Sequence, residues 1–275
     1  MHADKTYDII LVSNQDTFWM LDICLYSMHK NIDMDFVGKV FVADIGMSEK
    51  SRAKISRYKK IEIIDTGLSI NGGMSEIHTP EWVDSVWQKT QNIKYVLERT
   101  DRPLVFMDAD TIICGDFAKH IDPEFDFQIC KRVVPVQFLN WKGLYISSFF
   151  VFSNHAKSLA FIDEIRARMK RMQDAGDPPP FETRALNELI DSGDIRDWKI
   201  GTLWDEWVSC DNNCFEDTCI SHYKSCGVCR DNSIARMFLT YLRRMDVLRA
   251  NLPGGYWRKL RQCIVNPMWA KSVKL

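Results

Sequence analysis

Two aspartates separated by one small residue, Asp108-Ala109-Asp110, stand directly behind the apolar run Leu104-Val105-Phe106-Met107. A buried strand that ends in two acids can turn both carboxylates toward one point as it leaves the sheet. Unopposed, such carboxylates raise each other's pKa and destabilise the fold, a penalty that a divalent cation removes. Hard ions such as Mn²⁺ or Mg²⁺ accept carboxylate oxygens and keep coordination positions open for substrate phosphates. Ala109 leaves space for a ligand to come close to the backbone. An isolated Asp-x-Asp is commonly a turn former. Its place here, behind a buried strand that is fourth in a series, favours metal chemistry.

The second feature is a cysteine cluster. Five of the nine cysteines, Cys210, Cys214, Cys219, Cys226 and Cys229, fall within twenty residues. Cys226-Gly227-Val228-Cys229 has the two-residue spacing of a zinc knuckle, and the other three can supply further thiolates. A structural zinc site, one or two disulfides, and unpaired packing cysteines all fit this spacing. A redox Cys-x-x-Cys does not, because no thioredoxin-like strand precedes it. Cys24, Cys114, Cys130 and Cys263 sit among apolar neighbours and suit small core positions.

The elements that must position the acids alternate along the first hundred residues. Tyr7-Asp8-Ile9-Ile10-Leu11-Val12 is of strand length and ends in Ser13-Asn14, a turn or capping pair. A helical pattern follows over residues 16–30, a strand over 39–43, a short helix capped by Ser48 and ending near Tyr58, and a strand over 61–65. Thr79-Pro80-Glu81 opens a helix with a capping hydroxyl, proline at the first helical position and an acid in the first turn. Its apolar face is Trp82, Val83, Val86, Trp87, Ile93, Val96 and Leu97. Strands alternating with helices predict a parallel sheet covered on both faces, with ligands at the carboxyl ends of its strands. Further on, residues 125–132 and 144–152 read as strands. Residues 154–172 and 182–189 read as helices, with the stiff Asp177-Pro178-Pro179-Pro180 linker between them.

Composition supports a sizeable core: 46% of the 275 residues are hydrophobic and 27% charged. No apolar run approaches the roughly 18 residues that a membrane-spanning helix needs. The start Met1-His2-Ala3-Asp4-Lys5 lacks the basic and apolar regions of a secretion signal. With the odd cysteine count, this predicts a reducing, cytoplasmic setting. The net charge of −1 hides a division: residues 221–275 hold eleven Lys/Arg against Asp231 and Asp246, a balance of +9 that leaves −10 on the first 220. The acidic body argues against nucleic acid as a partner.

In order along the chain, several segments resemble GT-A fold glycosyltransferases, nearest to glycosyltransferase family 8 and related nucleotide-sugar transferases. The resemblance covers roughly residues 7–227. The first strand with Ser13-Asn14 is similar to the start of the nucleotide-binding half. Val42-Ala43-Asp44-Ile45-Gly46-Met47-Ser48 resembles the family's turn after strand two, and Val105-Phe106-Met107-Asp108-Ala109-Asp110 its strand with the Asp-x-Asp motif. Tyr145-Ile146-Ser147-Ser148-Phe149-Phe150-Val151-Phe152 resembles the Asn-Ser-Gly strand, with Phe149 in place of glycine. Glu182-Thr183-Arg184-Ala185-Leu186-Asn187 resembles the Asp-Gln-x-x-Leu-Asn helix start, with Thr183 in place of glutamine.

The resemblance implies an α/β GT-A fold, a mostly parallel sheet, and transfer of a sugar from a nucleoside diphosphate to an acceptor hydroxyl. A UDP-sugar is favoured over a GDP-sugar. Asp108 and Asp110 would hold Mn²⁺ or Mg²⁺ against the leaving diphosphate, and His222 of Ile220-Ser221-His222-Tyr223 would complete the metal shell. If zinc in the cysteine loop took His222 instead, that assignment would fall. Lys89 would face the donor phosphates, and Asn14, Asp44 and Ala109 would line the donor site. Glu182 would take the acceptor proton in an inverting reaction, or bind donor or acceptor hydroxyls in a retaining one as in family 8.

The implied layout is a catalytic domain over 1–232, divided into a nucleotide-sugar half (1–114) and an acceptor half (115–232) bearing the cysteine loop 210–229. A basic extension follows over 233–275. Residues 233–250 read as an amphipathic helix with Ile234, Met237, Phe238, Tyr241, Met245 and Leu248 on one face. Either it packs on the domain or, with Tyr256-Trp257-Arg258-Lys259, it docks on the anionic inner face of a membrane. The acceptor class extends to carbohydrate, lipid-linked and protein hydroxyls. The rivals are a zinc-bearing binding protein of the same fold and a sugar nucleotidyltransferase. The latter requires a glycine-rich basic loop that Ser13-Asn14-Gln15-Asp16 does not provide.

Overall fold

The apolar runs interleaved with helices become strands of one sheet with a helical layer on each side. The computed structural model describes residues 6–70, 79–138, 141–179, 181–204, 207–209, 218–222 and 253–254. In chain order the large sheet is built from β1 (Tyr7–Ser13), β2 (Val37–Asp44), β3 (Ile61–Asp65) and β4 (Leu104–Met107). A three-residue strand, β5 (Thr111–Ile113), intervenes before β6 (Phe127–Phe138), β7 (Trp141–Phe152) and β8 (Ile200–Trp204). The short β9 (Val208–Ser209) and β10 (Ile220–His222) join β5 in a separate three-stranded sheet of order β5-β10-β9. The helices are α1 (Phe18–Asn31), α2 (Glu49–Ile55), α3 (Pro80–Leu97), α4 (His155–Asp174) and α5 (Phe181–Asp191).

The seven-stranded sheet has the order β3-β2-β1-β4-β7-β6-β8. Its pairings make six strands run one way and β7 alone the other, so the sheet is mostly parallel. Alternation along β1 sends Ile9 and Leu11 to one face, where they meet Leu21, Leu25 and Met28 of α1. Ile10 goes to the other face, with Ile93, Val96 and Leu97 of α3, Ile162 and Ile165 of α4, and Leu186 of α5. Both faces are covered, as the sequence predicts.

Helix starts follow the capping chemistry. The Thr79 hydroxyl accepts from the Trp82 N–H at 3.2 Å with Pro80 behind it, Ser48 accepts from the Ser51 N–H at 3.2 Å, and Asn154 accepts from the Lys157 N–H at 3.2 Å. The second helix ends at Ile55, short of the expected Tyr58. α3 differs more. Trp82, Val83, Val86 and Trp87 are only half-buried, while Ser85, Lys89, Thr90 and Asn92 are buried. A buried lysine off the apolar face requires a charged partner, and the site supplies two.

The hairpin β6–β7 is longer than the expected strands 125–132 and 144–152. Ile129 pairs with Phe150 but Cys130 with Ile146, so Ser147, Ser148 and Phe149 bulge out of the β6 ladder. Beyond the bulge the hairpin continues past the end of β4, whose last pair is Met107 with Phe149. No described helix is long and apolar enough to cross a membrane. The amphipathic segment 233–250, residues 256–259, and Cys210, Cys214, Cys226 and Cys229 lie outside the described residues.

Candidate functional site

The Asp-Ala-Asp tripeptide is the joint between the two sheets. β4 ends at Met107, and the next N–H, that of Asp108, donates to the Ser148 carbonyl in the β7 bulge at 3.0 Å. Thr111 then begins β5, which pairs antiparallel with β10 so that Thr111 faces His222. This register delivers the imidazole. His222 Nε2 lies 3.0 Å from Asp110 Oδ1 and 3.6 Å from Asp108 Oδ2. One ligand atom from each of the three residues falls within 4.8 Å of the other two. His222 and Ala109 are buried, while the two aspartates are half-buried and reachable from outside.

Lys89, on the helix before β4, penetrates to the same place. Its ammonium donates to the Ser147 carbonyl at 2.5 Å and to Glu182 Oε2 at 3.1 Å, and lies 3.1 Å from Asp108 Oδ1. It also sits 4.5 Å from the centre of the Phe106 ring. An ammonium has three protons, and three acceptors surround this one. Burial alone would lower the Lys89 pKa, but Asp108 and Glu182 outweigh it and hold the pKa above the ordinary value. Burial raises the carboxyls of Asp108 and Glu182 above their usual range, against the opposing pull of Lys89.

Glu182 stands in the first turn of α5 and is 6% exposed. The neighbouring Thr183 hydroxyl meets the Ser147 hydroxyl at 3.0 Å. The β7 bulge therefore serves three groups: Ser147 O holds Lys89, Ser148 O holds Asp108, and the Ser147 side chain meets α5. Bulges recur next to functional sites because they re-aim backbone and side chains without breaking the sheet.

Asn14 and Asp44 stand at the carboxyl ends of β1 and β2, the same sheet end as Asp108, and both are fully buried. Asn14 Oδ1 accepts from the N–H groups of Asp16 and Thr17, each at 3.0 Å, and Nδ2 donates to the Ile70 carbonyl at 3.0 Å. Asp44 Oδ1 accepts from Gly46 N at 2.8 Å and Met47 N at 2.6 Å, and Oδ2 pairs with the Arg52 guanidinium. Both side chains thus hold the loops after their strands. Gly46, at φ +129°, permits that turn, with Ile70 N only 3.2 Å from where a Cβ would stand.

Of the residues singled out in the sequence, Asp108, Ala109, Asp110, His222, Lys89 and Glu182 come together in one cluster. The Ser147–Ser148 bulge completes that cluster, and Arg52 stands apart from it, paired with Asp44 and Asp65. The bulge has no local sequence signal beyond two serines interrupting an apolar strand. Arg52 could have been sought as the cation opposite a strand-end acid. Cys219, of the cysteine cluster, is buried with Sγ 3.4 Å from the Asp116 carbonyl.

No model of a known protein family matches the sequence, and no curated protein matches it. Solved structures do match. The chain is similar to the galactosyltransferase LgtC in complex with donor and acceptor sugar analogues, at a TM-score of 0.54 and 13% identity over 79% of this chain and 87% of LgtC. It is similar to the apo form of the glycosyltransferase GlyE of Streptococcus pneumoniae TIGR4, at 0.54 and 11% identity over 79% of this chain and 54% of GlyE. It also matches the apo bifunctional glycosyltransferase WbbM, at 0.51 and 10% identity over 82% of this chain and 46% of WbbM. The chain therefore has the GT-A-type glycosyltransferase fold that the sequence segments predict.

Proposed function

We propose that this chain is a metal-dependent transferase that moves a sugar from a nucleoside diphosphate, UDP in preference to GDP, to an acceptor hydroxyl. The observation that carries this is the convergence of Asp108, Asp110 and His222 at the carboxyl end of β4 within a GT-A-type fold. The donor set fits Mn²⁺ or Mg²⁺: two carboxylates supply hard oxygen ligands and one imidazole supplies nitrogen. The likeness to a galactosyltransferase solved with donor and acceptor sugar analogues supports the substrate class. A bound divalent cation supplies positive charge for a leaving diphosphate.

The chain's own residues then divide the work. Lys89 takes Asp108 Oδ1, leaving Oδ2 turned toward His222. Lys89 is thus a positioning residue that fixes which oxygen of Asp108 is offered to the metal. Through Glu182 it also fixes the first turn of α5, from which that carboxylate orients donor or acceptor hydroxyls in a retaining transfer. Asn14 and Asp44 shape the loops at the nucleoside end by holding their backbone.

A thermal-shift panel of UDP-, GDP- and CMP-sugars with and without Mn²⁺ tests the proposal. A UDP-sugar is expected to raise the Tm only when Mn²⁺ is present, and Asp110→Asn is expected to abolish that shift. No metal-dependent shift from any donor, or unchanged donor binding in Asp110→Asn, would overturn it. Metal-dependent donor binding without transfer would favour a binding protein of the same fold.

A further inference from the structure

An aromatic ledge stands at the same sheet end as the acid cluster, formed by parts of β7, β6 and β8 that the donor chemistry does not use. Lys131 of β6 pairs with Tyr145 on one side and with Trp204 on the other. Its ammonium lies 5.5 Å from the centre of the Tyr145 ring and 5.7 Å from that of Trp204. Trp204 is 43% exposed, at the end of the last strand of the sheet. It is one of five large hydrophobic side chains exposed among the described residues, and Val133 of the neighbouring β6 is another, at 68%. Tyr145 is fixed in place: its N–H donates to Asn187 Oδ1 at 3.0 Å, and its carbonyl accepts from Asn187 Nδ2 at 2.9 Å. Asn187 lies on α5, whose first turn holds Glu182.

We propose that Tyr145, Lys131 and Trp204 form an acceptor subsite that binds a sugar ring remote from the reacting hydroxyl, the ring stacking on Trp204 and its hydroxyls receiving hydrogen bonds from Lys131. This rests on the transferase reading above. A pyranose has an apolar face of C–H bonds and a rim of oxygens. The electron-rich face of an indole attracts the first, and an ammonium with three donors serves the second. Position fits the role. Ser148 bonds Asp108, and Tyr145 lies three residues further along β7, a distance of about 10 Å at most for extended chain. Trp204 lies two strands beyond Tyr145, about 10 Å across the sheet. Trp204, at the outer end of the ledge, is therefore placed to hold a later unit of the acceptor rather than the transferred sugar. Binding energy from such a unit can be used to orient the reacting hydroxyl.

The test uses the full chain, fluorescently labelled, on a printed array of oligosaccharides in the presence of UDP and Mn²⁺. The wild type is expected to bind a subset of glycans, Trp204→Ala to lose at least about tenfold in apparent affinity for them, and Trp204→Phe to retain most of the signal. Calorimetric titration of UDP with Mn²⁺ is expected to give the same affinity in wild type and Trp204→Ala. Equal array binding by wild type and Trp204→Ala, or no glycan bound by wild type while UDP binds normally, would overturn the subsite and leave the donor site standing. Absent UDP binding, with glycan binding still lost in Trp204→Ala, would instead overturn the donor site and keep the ledge.

Discussion

Replacing Lys89 with methionine removes a buried cation without opening a cavity, and its consequence can be worked from the distances around the ammonium. Asp108 and Glu182 each stand 3.1 Å from Nζ. At an effective dielectric near 20, each pair is worth about 5 kcal/mol of gross attraction. Desolvation of the lysine offsets much of the sum, and removal of one partner from a buried ionic cluster costs about 3–5 kcal/mol net. Urea denaturation of Lys89→Met, without metal, is therefore expected to show a loss of about 3–5 kcal/mol relative to wild type. Because the loss comes from leaving two carboxylates unopposed, the double variant Lys89→Met, Glu182→Gln is expected to be more stable than Lys89→Met alone, a non-additive result. Mn²⁺ is expected to stabilise Lys89→Met more than wild type, since it replaces charge that the variant lacks. A loss below about 1 kcal/mol, or a double variant less stable than the single one, would refute this account of the cluster.

The remaining expectations are simpler. His222→Gln should weaken Mn²⁺ binding by about tenfold or more, read by Mn²⁺ electron paramagnetic resonance, with the fold retained by circular dichroism. Gly46→Ala should cost about 1–3 kcal/mol in urea denaturation, because φ +129° is unfavourable for alanine and the new Cβ would meet Ile70 N at 3.2 Å. At Asp126, burial raises the carboxyl pKa, but Lys157, the Lys199 N–H and Asn154 outweigh it and hold the pKa below the usual range. The unfolded chain therefore binds this proton first as pH falls. The contribution to stability is complete above about pH 4 and is lost as pH drops through the folded value. Urea midpoints between about pH 2.5 and 6 should accordingly fall less steeply on the acid side for Asp126→Asn than for wild type.

The strands and helices up to Met107 were legible because each is a local pattern: a short apolar run, a capping hydroxyl, proline at a helix start. The acids at the end of β4 were legible for the same reason, since their meaning depends on what immediately precedes them. The small sheet was not. β5, β9 and β10 have two or three residues each, and they exist because Thr111 finds His222, a pairing between distant segments that no window of sequence contains. Lys89 had the opposite problem. Its neighbours on α3 suggested an apolar face starting at Trp82, whereas tertiary pairing with Asp108 and Glu182 buries the lysine and leaves the tryptophans half-exposed. The reversal of β7 could not be anticipated either, because strand direction follows from the hairpin with β6, and the apolar run alone is silent about it.

The joint between the two sheets also ties the proposed metal site to a long-range contact of the fold. Asp110 and His222 are separated by more than a hundred residues of chain and meet through a three-residue strand. A cation gripping both would close that chain segment as a clip does, and the cost of closing a long loop grows only slowly with its length. Ion binding and retention of β10 against β5 then become one equilibrium seen from two ends. Amide protons in the β5–β10 ladder should exchange more slowly as Mn²⁺ is raised, while those of β1 and β2, on the far side of β4, should scarcely respond.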